Sequence, residues 1–279
     1  MPCLHDTVRC FNRFELKYLL TLQEAETFKA GLRSYMLPDE HGNNNGRYSL
    51  TSLYYDSPDY RCYREKMDGL RFRRKLRIRS YDSDEVLTEE SPVVVEIKQR
   101  VDRVTQKWRT VMPYGDALRL CDDREIPDHD PRDEDFINEI YAFLWQYNLH
   151  PSSIVRYDRQ AFIGTQYDIG LRVTFDTSLS FQTYPLYLHE QPTNLPMMAP
   201  NKVVLEIKVN ERMPHWIVEM IKRHNLQLVR ISKYCHSIEA AQSIPSMRWR
   251  NLTGECSQEV LSTSLSAFTT LQRQMGIKH

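Results

Sequence analysis

Leu70-Arg71-Phe72-Arg73-Arg74-Lys75-Leu76-Arg77-Ile78-Arg79-Ser80-Tyr81 is the stretch on which the fold turns. Side chains alternate along a β-strand with a period of two. One face of this strand therefore carries Arg71, Arg73, Lys75, Arg77 and Arg79, and the other carries Phe72, Leu76 and Ile78. A sheet face in water normally mixes Thr, Ser, Gln, Glu and Lys. Five stacked cations repel one another unless an anion compensates. Arginine outnumbers lysine here, which suits bidentate phosphate contacts.

The same alternation extends outward from this strand. Pro92–Val101 sets Val93, Val95 and Ile97 against Glu96, Lys98 and Arg100, and Lys202–Asn210 sets Val203, Leu205, Ile207 and Val209 against Glu206 and Lys208. Ile169–Phe175 repeats it with Arg172, Ser152–Gly164 with Tyr157 and Arg159, and Phe11–Leu20 with Arg13, Glu15 and Lys17. Further strands are predicted at Arg47–Asp56 and Val104–Met112. Half-apolar strands argue for an antiparallel sheet, since parallel sheets bury both faces. The triplet Glu-x-Lys occurs three times on strands, at Glu15, Glu96 and Glu206. Carboxylate and ammonium then share a face, a pattern that suits a site holding a polyanion and a divalent metal, because Mg²⁺ takes one or two carboxylates plus phosphate oxygens.

Composition narrows the alternatives. The 279 residues balance 37 Lys+Arg against 37 Asp+Glu. A broad basic surface for nucleic acid would show an excess of positive charge, so none is expected as a partner. Hydrophobic residues are 41% and charged residues 27%, ordinary for a soluble chain. No apolar run approaches the roughly 20 residues of a bilayer span, and Met1 to Arg13 does not read as a signal peptide. Six scattered cysteines without a C-x-x-C pair fit free thiols in a reducing cytoplasm. The histidines lack zinc spacing, and no Gly-rich phosphate loop is present.

Between the strands, Thr21 and Glu24 form a capping-box signature opening a helix to about Met36. Ser57-Pro58 marks the start of a short helix. Helices are also predicted at Glu134–Tyr147, Pro214–His224 and Lys233–Ser243. The acidic run Asp122–Asp135 reads as an exposed connection between two halves. One domain over residues 1–243 is expected, followed by a tail, 244–279, whose Leu261, Leu265, Phe268 and Met275 suggest a docking helix.

Seven strings occur in order: R-F-E-L-K-Y, K-L-R-I-R-S-Y, V-E-I-K-Q-R, V-R-Y-D-R-Q-A-F, L-R-V-T-F-D, V-L-E-I-K-V and R-I-S-K-Y. In these the chain resembles the VTC (vacuolar transporter chaperone) domain, the polyphosphate polymerase branch of the triphosphate tunnel metalloenzyme, or CYTH-like, superfamily. The resemblance runs from about Arg13 to Ala241. It implies an α+β fold, an eight-stranded antiparallel β-barrel tunnel with helices packed on the outside. It implies phosphate-binding roles for Lys17, Arg77, Arg79, Lys98, Lys107, Tyr157, Arg159, Arg172, Arg230, Ser232 and Lys233, and a metal-binding role for Glu206 with Mn²⁺ or Mg²⁺. Glu15 and Glu96 are additional candidate carboxylates.

The implied activity is transfer of the ATP γ-phosphate to a growing polyphosphate chain. The rivals are a triphosphate or nucleoside-triphosphate hydrolase of the same fold and a non-catalytic polyphosphate binder. Arg13 stands where the hydrolases of the superfamily carry the first glutamate of E-x-E-x-K, which favours the polymerase branch. Eukaryotic members add an SPX domain and membrane helices that this sequence lacks, which leaves open an unidentified membrane partner.

Overall fold

The computed structural model describes residues 14–40, 42–82, 87–102, 104–189, 194–210 and 212–243. Eight long strands follow the alternation: β1 (Phe14–Thr21), β3 (Arg47–Asp56), β4 (Phe72–Asp82), β5 (Pro92–Val101), β6 (Val104–Pro113), β7 (His150–Gly164), β8 (Arg172–Gln182) and β10 (Lys202–Val209). They pair antiparallel in the order β1-β10-β8-β7-β3-β4-β5-β6. Two short strands, β2 (Met36–Pro38) and β9 (Leu195–Pro196), attach to β7 and β8.

The apolar face of the sheet is covered by helices in two places. Over one part lie α1 (Leu22–Leu32) and α6 (His215–Arg223), where Phe28, Leu32, Ile217 and Met220 meet Phe175, Val203, Leu205 and Ile207. Over the other lie α4 (Tyr114–Leu118) and α5 (Glu134–Tyr147), where Ile137, Ile140, Phe143 and Leu144 meet Leu76, Ile78, Val93, Val95 and Ile97. Each fully buried apolar side chain contributes about 1.5–3 kcal/mol. Thr21 caps α1 as its sequence indicates: its hydroxyl accepts from the Glu24 N–H, and the Glu24 carboxylate accepts from the Thr21 N–H at 2.7 Å.

The charged face is not left to water. α7 (Lys233–Ser243) lies on it, packing Tyr234 and Ile238 among Leu50, Tyr54, Val155, Phe181 and Val204. Tyr234 is anchored there by donating its hydroxyl to Asp56, whose carboxylate also accepts from the N–H groups of Ser57, Cys62 and Tyr63.

The expected closed barrel is corrected by the ladder. β1 and β6, the ends of the eight-strand path, do not pair, so the sheet is open. The reason lies at the free edge of β1. The chain leading into α7 occupies it: the Val229 N–H donates to the Lys17 carbonyl at 2.8 Å, and Leu228 bridges Tyr18. Curvature still brings the ends near each other, for Lys98 of β5 reaches Glu15 of β1 at 2.9 Å.

Three smaller expectations shift. The first helix stops at Leu32, and Met36 begins β2 instead. The helix after Ser57-Pro58 starts later, as α3 (Arg61–Met67), because Asp56 and Ser57 cap it from a distance: the Ser57 hydroxyl accepts from the Arg61 N–H at 2.9 Å. The run Asp122–Asp135 is tethered, Asp122 accepting from the Tyr55 hydroxyl at 2.7 Å and Asp133 from that of Thr110 at 2.6 Å. It joins no separate halves, since one continuous sheet passes through β6 and β7 alike. Arg74 falls on the apolar face, where its guanidinium lies 4.1 Å from the Phe143 ring centroid and pairs with Glu139. The docking helix expected within 244–279 lies outside the described residues, as does Arg13.

Candidate functional site

Along β4 the inward cations pass from solvent to interior. The Arg71 side chain is 91% exposed and that of Arg77 only 15%, and Arg79 is buried. Two groups of charges meet on the face that β4 lines.

The first surrounds Glu96. Arg77 Nη2 donates to Glu96 Oε1 at 2.5 Å, and Lys107 pairs with Oε2. Arg77 Nη1 also donates to the Tyr54 hydroxyl at 3.0 Å. Arg79 donates to Ser52 Oγ at 3.0 Å and to the Tyr157 hydroxyl at 3.2 Å. Burial alone would raise the Glu96 carboxyl, but Arg77, Lys107 and Arg79 together hold it well below the usual carboxylate range. Burial pushes Lys107 down to about 7, with Arg77 and Arg79 reinforcing the fall and Glu96 opposing it. Burial would raise Tyr54 too, yet the guanidiniums of Arg77 and Arg79 bring the phenol down to about 8.

The second surrounds Glu206 and Asp176. Glu206 Oε1 lies 2.9 Å from Lys233 Nζ and 3.2 Å from Lys17 Nζ, while Oε2 lies 3.1 Å from Lys208 and 3.6 Å from Arg159. Arg159 donates to both oxygens of Asp176, at 2.6 and 2.8 Å, and Lys233 reaches Asp176 at 2.5 Å. Glu15 completes the group, 3.2 Å from Lys17 and 2.9 Å from Lys98. Burial disfavours the charged form of Glu206, yet Lys17, Lys233, Lys208 and Arg159 hold its carboxyl far below the ordinary range. Burial brings Lys208 down to about 8.

Across the face, nine cations (Lys17, Lys75, Arg77, Arg79, Lys98, Lys107, Arg159, Lys208 and Lys233) stand against five carboxylates (Glu15, Asp56, Glu96, Asp176 and Glu206), an excess of four. Buried unpaired charge is costly, so the excess is suited to an incoming polyanion.

The resemblance also implies a divalent metal. Among the described residues no three His, Cys, Asp or Glu side chains gather as a metal site. Two carboxylates do converge: Glu15 Oε1 and Glu206 Oε1 each lie 3.2 Å from the Lys17 ammonium, so both address one cation position. Two carboxylates with phosphate oxygens completing the shell match the donor set of Mg²⁺ or Mn²⁺. Lys17 fills that position, so Glu15 and Glu206 fit such an ion with a phosphate ligand where the Lys17 ammonium turns away to phosphate.

Of the residues singled out in the sequence, Lys17, Arg77, Arg79, Lys98, Lys107, Tyr157, Arg159, Lys233, Glu15, Glu96 and Glu206 come together here. Ser232 caps α7, accepting from the Cys235 N–H at 3.4 Å and from Lys75 at 3.1 Å. Arg172 lies at the margin, paired with Asp39 at 2.7 Å and donating to the Tyr48 hydroxyl at 2.8 Å. Arg230 is exposed and touches none of these carboxylates. Sequence reasoning missed Asp176, although Arg172, Thr174 and Asp176 share a face by the same period of two.

Comparison with known proteins gives one family. The sequence profile of the VTC domain matches residues 12–242. Among curated proteins no sequence matches significantly. A solved structure of a proposed adenylate cyclase from Bacillus halodurans is 14% identical, with a TM-score of 0.43, covering 79% of this chain and 95% of its own. A proposed adenylyl cyclase from Hippeastrum with a dominant triphosphatase activity is 13% identical, with a TM-score of 0.47, covering 82% and 96%. The Schizosaccharomyces pombe Mediator head module scores 0.35 at 10% identity, covering 76% and 90%.

Proposed function

Because the chain belongs to the VTC domain family, we propose that it is a polyphosphate polymerase that transfers the γ-phosphoryl group of ATP to the end of a polyphosphate chain. The observation that carries this reading is the excess of cations gathered on one enclosed sheet face under α7. We infer that the curved sheet, the segment 226–232 and α7 together bound a tunnel-like path, despite the unpaired β1 and β6.

Phosphoryl transfer asks little covalent work of a protein, so positioning and charge neutralisation carry the catalysis. Arg77, Arg79 and Arg159 are placed to bind the oxygens of the transferring group. Lys233 stands at the N-terminal end of α7, whose helix dipole adds a favourable field for an anion. Lys17 and Lys208 exchange their present carboxylate partners for phosphate as the substrate enters. Glu206 and Glu15 would hold Mn²⁺ or Mg²⁺, which when bound supplies further neutralisation of phosphate charge. Exclusion of bulk water by the α7 roof favours transfer to phosphate over hydrolysis. The buried free thiols Cys62, Cys121 and Cys235 are consistent with a cytoplasmic enzyme, and no described helix is long and apolar enough to cross a membrane.

Incubation with ATP and Mn²⁺, with products resolved by gel and nucleotide analysis, tests the reading. Chain growth with matching ADP release is the expected result. Free phosphate without chain growth assigns hydrolysis instead. Tripolyphosphate binding without any turnover leaves a polyphosphate binder.

A further inference from the structure

The pairing register places like charges directly opposite one another in successive rows. Arg73 of β4 faces Arg100 of β5, and the next inward pair on that face is Lys75 with Lys98, which in turn faces Lys107 of β6. Opposed side chains lie about 5 Å apart at Cβ, and like charges there are destabilising. In the inner row the repulsion is offset, since Lys98 pairs with Glu15 and Lys107 with Glu96. The outer row has no such relief. Arg73 donates to the Leu70 carbonyl and Arg100 to the Asp102 carbonyl, and neither forms an ion pair with a carboxylate among the described residues.

Two further cations border the outer row. Lys66 of α3 and Arg230, just before α7, bear electrostatically on Arg73; burial pulls Lys66 below its ordinary value, Cys235 opposes the fall, and Arg73, Lys75 and Arg230 add to it. The nearby Glu65 is engaged by Arg61 at 3.1 Å. The opposite end of β4 differs. There Tyr81 lies beside Tyr48, and Arg172 is already matched by Asp39. Among the described residues, the Arg73 end is the one that continues the cationic face into solvent.

We propose that the opposed pair Arg73 and Arg100 forms an outer subsite for linear polyphosphate, through which a long chain enters and leaves the buried face. This rests on the polyphosphate reading above. From Arg79 to Arg73 the strand spans about 20 Å. A triphosphate held at Arg77 and Arg79 does not reach the rim, whereas a long chain passes over it.

The test compares wild type with the double variant Arg73→Gln/Arg100→Gln, measuring affinity for tripolyphosphate, long-chain polyphosphate and a single-stranded oligonucleotide. Arg73 is half-buried and Arg100 exposed, so an unchanged tripolyphosphate affinity also reports that the variant is folded. Loss of two charge-assisted contacts should weaken long-chain binding about tenfold or more. Tripolyphosphate affinity should stay within about twofold, since its site is remote from the rim. Unchanged long-chain affinity overturns the subsite while the functional reading stands. Equal loss of a comparably tight oligonucleotide complex also overturns it, assigning the rim to nucleic acid. A wild-type protein that binds neither polyphosphate overturns subsite and function together.

Discussion

Glu206→Gln separates folding, binding and chemistry in one side chain. In the free protein four cations lean on this carboxylate: Lys233 at 2.9 Å, Lys208 at 3.1 Å, Lys17 at 3.2 Å and Arg159 at 3.6 Å. Removing one partner of a buried ion pair costs about 3–5 kcal/mol, because the remaining charge is left uncompensated. Glutamine keeps a carbonyl acceptor in the same place, so the lower end, about 3 kcal/mol, is expected. For a chain of this size that corresponds to a fall in Tm of about 6–12 °C. The excess of cations grows from four to five, so a polyanion should be held more tightly, not less. Tripolyphosphate at 100 times Kd restores about 2.7 kcal/mol in any case, and the Tm rise on adding it should exceed that of wild type. Turnover should nevertheless fall roughly 100-fold or more with ATP and Mn²⁺, since half of the metal's carboxylate pair is gone. Thermal melts with and without tripolyphosphate, beside ADP release, read all three. An unaltered Tm refutes the ion network as drawn. Wild-type turnover refutes Glu206 as a metal ligand and moves the catalytic carboxylate to Glu15 or Glu96.

Arg79→Ala deletes a buried guanidinium that has no carboxylate partner among the described residues, so tripolyphosphate affinity and turnover should fall together by about 1.5–3 kcal/mol; a variant that loses turnover alone would assign Arg79 to the transition state only. Lys107, brought down to about 7, is largely neutral at pH 8, and a bound polyanion favours its ammonium form. Binding at pH 8 should therefore take up a proton, and affinity should weaken as pH rises above about 7. Calorimetry in buffers of different ionisation heat would detect the uptake, and its persistence in Lys107→Met would assign it elsewhere. For folding the sign is the reverse: the unfolded chain holds this proton more firmly, so the cost of burying Lys107 shrinks as pH rises from about 7 toward its ordinary value.

Period-two alternation, cap chemistry and family strings are local, and those were legible without coordinates. Leu70–Tyr81 states its own cationic and apolar faces, Thr21 and Glu24 state the start of α1, and the three Glu-x-Lys triplets place their carboxylates with the cations. Partnership is not local. That Glu206 meets Lys17, Lys208, Lys233 and Arg159 depends on β1, β7, β10 and the first turn of α7 converging in space, which no single strand encodes. Asp176 was missed because its role comes from Arg159 across the β7–β8 ladder and from Lys233 on α7. Arg74 shows the converse: its charge suggests the cationic face, but parity places it beneath α5, where Glu139 and the Phe143 ring make burial tolerable. Closure was the largest difference. Whether β1 pairs with β6 or with the chain before α7 is a competition among hydrogen-bonding edges brought together by sheet curvature, and the edge that Leu228 and Val229 took was settled only when the whole chain was folded.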